Sequence, residues 1–246
     1  MEQAIQNRIP LTRIQRLIGR LMLEAKQTAP YFYLDASADI TDLVACRKAL
    51  CKATHVRVTT NDYFFCAVAR AIKRFPLMAG RLDPTGRFID IAPQVGVGFA
   101  VAAPQGLVVP VLKDIGDASL VEIAQMSDAL LKKARSNRLM PDDFYGENVV
   151  LTALGMYGVR QFYAIAPPGA TGILSIGNIH DTLVPCEQGF VVRKMMNLSL
   201  AADIRIVNEI CAAQFLNCVV GQVESPQHFT QPAEAAAAAE ILWTGD

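Results

Sequence analysis

Histidine is scarce in this sequence: His55, His180 and His228 are the only three among 246 residues. The six cysteines are Cys46, Cys51, Cys66, Cys186, Cys211 and Cys218. None forms a CxxC pair and none clusters with histidine, so no zinc site is expected. They sit mostly in apolar runs and read as reduced, buried thiols of an intracellular protein. No GxGxxG or P-loop occurs, which excludes nucleotide cradling by those devices. The glycines of "GVGFAV" lead into a strand, not a helix. No apolar run reaches the roughly 18 residues that span a bilayer. Net charge is also missing, with 23 basic and 23 acidic residues. No global field therefore attracts nucleic acid or an anionic membrane, and neither partner is expected. The opening residues Met1–Pro10 are polar and lack the apolar centre of a signal peptide, so 1–10 reads as the end of a linker.

What is present is apolar. Half of the chain, 52%, is hydrophobic and only 19% is charged. Either one large α/β core or a surface covered by partner subunits accounts for that balance. Thr12–Lys26 carries apolar residues at helical spacing behind a threonine N-cap. "YFYLDASADI" alternates like a strand, and Thr41–Ala53 reads as a helix. Asn61–Phe75 is apolar on all sides, which predicts a deeply buried helix. Asp83–Gly86 is a turn, followed by the strand "RFIDIAP". "VGVGFAVAAPQGLVVPVLKD" reads as two strands about a Pro-Gln-Gly turn. Ser119–Asn137 is a helix with its basic residues late, as the helix dipole favours. Three further strands precede a last helix over Ile206–Val220. Strands in hairpin-like pairs between helices predict a mixed sheet covered on one side. Beyond Glu224 the pattern weakens, and 227–246 reads as a tail.

Five stretches together carry a resemblance. They are "RIPLTRIQRLIGRLMLEAKQTAPYFYL", "TTNDYFFCAVARAI", "APQGLVVPVLKD", "ALLKKARSNRLMPDDFYG" and "LTALGMYGVRQFYAIAPPGATGILSIG". In this order they resemble the catalytic core domain of the dihydrolipoamide acyltransferases of 2-oxo acid dehydrogenase complexes, over residues 11–226. The resemblance implies a chloramphenicol-acetyltransferase-like two-layer α/β sandwich, assembled as a trimer. It also implies an active site at a subunit boundary, reached by coenzyme A from one end and lipoamide from the other.

Family chemistry moves an acyl group between two thiols. A thiol with a pKa near 8.5 needs a base at neutral pH, and the tetrahedral intermediate needs a hydrogen-bond donor. The resemblance assigns the base to the histidine of a DHRxxDG motif and the donor to a hydroxyl before an LG pair. Here Thr152 matches the hydroxyl, with Ala153 beside it where the family often has asparagine. The motif reads Asp203-Ile204-Arg205-Ile206-Val207-Asn208-Glu209. Asp203 and Arg205 match and are expected to persist as a structural pair. Ile204 takes the histidine position, Asn208 the second aspartate and Glu209 the glycine. Isoleucine accepts no proton at any pH. His55, His180 and His228 read as loop histidines, and Tyr31 stands where the family often has another histidine.

The resemblance therefore extends to the non-catalytic branch of the family, the protein X type of core subunit. The expectation is a degenerate site, no cofactor of its own, and doubtful binding of coenzyme A or lipoamide. The expected partners are its own copies, a catalytic acetyltransferase core, and dihydrolipoamide dehydrogenase held by an upstream domain outside this chain. The expected compartment is the mitochondrial matrix in a eukaryote and the cytoplasm otherwise. A divergent acyltransferase of weak activity is the other reading.

Overall fold

The computed structural model describes residues 8–230 apart from Gln105. Helix α1 (Arg13–Thr28) starts at Thr12, whose hydroxyl accepts from Gln15 N in a capping box. Strand β1 (Tyr31–Asp39) follows, then α2 (Thr41–Thr54) and α3 (Thr60–Arg74). Five short strands come next: β2 (Gly80–Leu82), β3 (Ile89–Ile91), β4 (Val97–Phe99), β5 (Val101–Ala103) and β6 (Gly106–Val108). After β7 (Val111–Leu112) come α4 (Leu120–Arg135), β8 (Val149–Ala153), β9 (Gly172–Cys186), β10 (Gly189–Asp203) and α5 (Glu209–Glu224).

The principal sheet has the order β1-β10-β9-β8-β4-β7. The β8 pairings with β9 and β4 are parallel and the rest antiparallel, so the sheet is mixed, as expected. The sequence expectation of two strands around residues 97–112 is corrected to four short ones. β4 and β7 enter the main sheet, while β5 and β6 form a separate hairpin. Gly98 of β4 is closely packed, since a Cβ there would meet the Val150 and Val109 side chains at 3.1 and 3.2 Å.

One face of the sheet carries the helices. Leu174, Ile176, Leu198, Leu200 and Ala202 point into that core with Phe64, Phe215 and Ile123. Alternate positions face the other way. Val150, Ile173 and Ala201 form a smaller cluster under Ala166 and Ala170. The segment after β8 therefore crosses the helix-free face as a strap. α3 is buried almost throughout, as its sequence predicted. Packing runs beyond 226: Phe229 is buried edge-on against Tyr63, while residues 231–246 lie outside the described residues.

Burial pushes the Cys66 thiol on α3 up to about 11. Burial, then the neighbouring Cys46 and Cys51, pushes the Tyr63 phenol up to about 12. Both groups are acids whose neutral form the fold favours. Their stabilisation is complete below the unfolded pKa and disappears as pH climbs through about 9 to 12. Cys66 alone is expected to remove on the order of 2 kcal/mol. Urea melts at pH 7.5 and 10.5 test this. Cys66→Val should flatten the dependence, and an unchanged slope would show that the thiol plays no part.

Candidate active site

Strand β10 ends at Asp203, whose N–H donates to Thr171 O at 3.0 Å. The chain then turns tightly. Ile206 and Val207 both donate their N–H to the Asp203 carbonyl at 3.0 Å, and Ile204 N–H donates to Pro30 O at 3.2 Å. Asn208 closes the turn as the N-cap of α5, its Oδ1 accepting from Cys211 N at 2.8 Å. The helix predicted from Ile206 thus begins at Glu209 and runs to Glu224. Ile206 and Val207 are apolar because the turn buries them, not because they are helical. Ile210, in the first turn of this helix, is 64% exposed.

Asp203 is buried at 3% exposure, and Arg205 answers it from two residues away. Arg205 Nε donates to Oδ1 at 2.9 Å and to Oδ2 at 3.2 Å, and Nη2 to Oδ2 at 2.5 Å. The Arg205 N–H adds a bond to Oδ1 at 3.0 Å. Hydrogen bonding to this carboxylate holds the guanidinium above its ordinary pKa. The pair is internal to one chain and braces the turn.

Tyr31 lies directly opposite Asp203 in the sheet and donates its hydroxyl to Ala170 O at 3.3 Å. Burial, then the Asp203 charge, pushes its phenol up to about 12. A cleft of about 470 Å³ opens here, lined by Tyr31, Arg81, Asp83, Gly169, Asp203 and Arg205 among others. The Thr85 hydroxyl and the backbone N–H groups of Phe88, Thr85 and Arg87 hold Asp83 down to about 2. The Asp83–Gly86 turn was legible in sequence; its place on the wall of this cleft was not. Ile204 is not part of that wall and is 40% exposed.

Thr152 sits elsewhere. It pairs with Ser175, which pairs with Ser199, which pairs with Asp35, all in one row across the helix-free face. Two strand spacings and five residue rises separate Thr152 from Ile204, on the order of 15–20 Å. One chain therefore gathers Asp203, Ile204, Arg205, Asn208 and Glu209 but leaves Thr152 apart. The histidines do not join them. His55 caps the C-terminus of α2, and His228 lies in a short turn whose carbonyl accepts from Arg70. His180, predicted in a turn, is in β9 opposite Met195, about 30 Å of strand from Ile204.

Residues 3–230 match the family described as 2-oxoacid dehydrogenases acyltransferase (catalytic domain). The chain belongs to this family. It is 30% identical to the dihydrolipoyllysine-residue acetyltransferase component of pyruvate dehydrogenase complex of Rickettsia conorii, over 89% of this chain and 53% of that one. It is also 30% identical to the mitochondrial pyruvate dehydrogenase protein X component of Mus musculus, over 89% of this chain and 44% of that one. The chain thus spans about half the length of these curated relatives. Among solved structures, the Azotobacter vinelandii dihydrolipoamide acetyltransferase superposes with a TM-score of 0.86 at 28% identity, covering 92% of this chain and 94% of that one. The cubic core of the pyruvate dehydrogenase multienzyme complex gives the same score at 29% identity and the same coverage.

The Azotobacter enzyme was investigated for the role of a serine, a histidine and an asparagine in its catalytic mechanism. Its histidine follows the serine by 52 positions, and its asparagine follows by four more. Thr152, Ile204 and Asn208 keep both spacings. Asn208, read above as a departure from an aspartate, thus lines up with an asparagine in this family member.

Proposed function

We propose that this chain is a structural core subunit of a 2-oxo acid dehydrogenase complex, of the protein X type, with pyruvate as the 2-oxo acid. The observation that carries the reading is Ile204. It holds the position of the family histidine, and its side chain has no proton acceptor. The surroundings remain built: the Asp203–Arg205 brace and the Asn208 cap fold the turn around a residue unable to act as a base. Thiolate formation then has no local base, which costs a factor of about 100 to 10,000. The chain assembles with its own copies as a trimer or joins a catalytic acetyltransferase core. Dihydrolipoamide dehydrogenase binds through a domain outside these residues. The compartment is the mitochondrial matrix in a eukaryote, in keeping with the mitochondrial mouse relative, and the cytoplasm in a bacterium.

The test is acetyl transfer from acetyl-CoA to dihydrolipoamide by the purified domain. Its rate should lie at least about 100-fold below that of a catalytic relative assayed alongside. Equal turnover sinks the structural reading. A second reading, a divergent acyltransferase, draws on Thr152 and Asn208. The first keeps a hydroxyl where the oxyanion donor belongs, and the second lines up with the Azotobacter asparagine. Slow turnover lost in Thr152→Val would favour it.

A further inference from the structure

Thr152 ends a polar row that crosses four strands. Ser175 lies opposite it on β9, Ser199 opposite Ser175 on β10, and Asp35 opposite Ser199 on β1. On the far side β4 ends at Phe99, opposite Leu151, so Thr152 is the last member of the row. Residues opposite one another on neighbouring strands share a face, about 5 Å apart. At that spacing serine and threonine hydroxyls bond across a sheet. Ser175 and Ser199 are each 2% exposed, and their hydroxyls have no hydrogen-bond partner among the described residues. A buried hydroxyl is costly to leave unpaired, and rotation about Cα–Cβ offers each of these the next member of the row.

The ends of such a row set its direction. A hydroxyl both donates and accepts, whereas an ionised carboxylate only accepts. On the strap, Gln161 Nε2 donates to the Tyr163 hydroxyl at 3.4 Å, and that hydroxyl donates to Asp35 Oδ2. The bond to Asp35 raises the Tyr163 phenol above its ordinary pKa, so the phenol keeps its proton and remains the donor. Donors thus converge on Asp35 from the strap. A carboxylate has room for more than one, so Asp35 draws donors from the sheet as well. Ser199 then donates to Asp35, Ser175 to Ser199, and Thr152 to Ser175. The Thr152 proton is engaged inside the sheet, and only lone pairs are left for an acyl group.

We propose that Asp35 is a positioning residue that sets the direction of this hydroxyl row and so keeps Thr152 from donating to an oxyanion. The inference rests on the core-subunit reading above. It adds a second cause of inactivity to the missing base at Ile204: the hydroxyl is present but is turned into an acceptor.

The test removes the acceptor-only end. The amide of Asp35→Asn can donate to Ser199 and still accept from Tyr163, which lets the row reverse and Thr152 donate outward. In the Ile204→His background, Asp35→Asn should raise kcat for acetyl transfer to dihydrolipoamide about 10-fold with KM unchanged. A full oxyanion donor is worth about 100- to 1,000-fold, and an amide that can also turn its carbonyl to Ser199 realises part of it. Ser199→Ala cuts the row while leaving the Tyr163–Asp35 bond, and should raise kcat in the same direction. Either gain should vanish on adding Thr152→Val. Asp35→Glu keeps a carboxylate and Tyr163→Phe removes only the bond to the strap, so neither should give a gain. A merely structural role for Asp35 predicts losses instead. No gain from Asp35→Asn and none from Ser199→Ala, or a gain that survives Thr152→Val, overturns the inference and leaves the core-subunit reading standing. A parent protein as fast as a catalytic relative removes both.

Discussion

Ile204→His should raise acetyl transfer between coenzyme A and dihydrolipoamide by about 10- to 100-fold. A positioned base contributes about 100- to 10,000-fold, and a newly introduced imidazole will not be fully positioned. The site tolerates the change, since Ile204 is 40% exposed and only its backbone N–H is tied down, to Pro30 O. Asn208 needs no replacement, because it matches an asparagine in the Azotobacter enzyme and already caps α5. The gained rate should carry a signature in pH. Imidazole acts as a base only when neutral, so the gain should appear as pH rises through about 6.5. The parent should lack that step. A folded Ile204→His protein with neither gain nor step would argue that the site is blocked by more than one missing base.

The second large effect is on stability. Arg205→Ala leaves the Asp203 carboxylate buried at 3% exposure, with only the residue 205 backbone N–H as a donor among the described residues. Removing one partner of a buried pair costs about 3–5 kcal/mol. Because the Arg205 side chain is 41% exposed, the low end of that range applies, about 3 kcal/mol. In a domain of this size that is a drop of about 6–12 °C in Tm. Asp203→Asn should cost less, because the guanidinium left behind reaches water. Thermal melts at pH 7 decide the order. If Asp203→Asn is the more damaging, burial of the carboxylate is not what makes the pair matter.

Much of the fold was legible because the pattern was local. Thr12 and Ser119 announce their helices through capping boxes that the structure contains. The burial of α3 follows from apolar residues on all its sides. The start of α5 falls at Glu209 rather than the expected Ile206, because buried residues of a tight turn have the same apolar character as a helix face. The split of residues 97–112 into four strands was hidden too, since it depends on β4 and β7 pairing in the main sheet while β5 and β6 pair with each other.

The family, the mixed sheet and the chemical incapacity of position 204 belong to the sequence alone. They need only residue identity and order, and isoleucine has no proton acceptor in any fold. The tertiary structure decided the rest. It made Asp203 and Arg205 a bracing pair within one chain and set Tyr31 against them. It also placed Thr152 two strands away from Ile204, on a face that no α-helix among the described residues covers. Distances between strands far apart in sequence depend on register and sheet order, which spacing along a chain does not encode. That separation keeps Thr152 and the Ile204 turn on different patches of one chain.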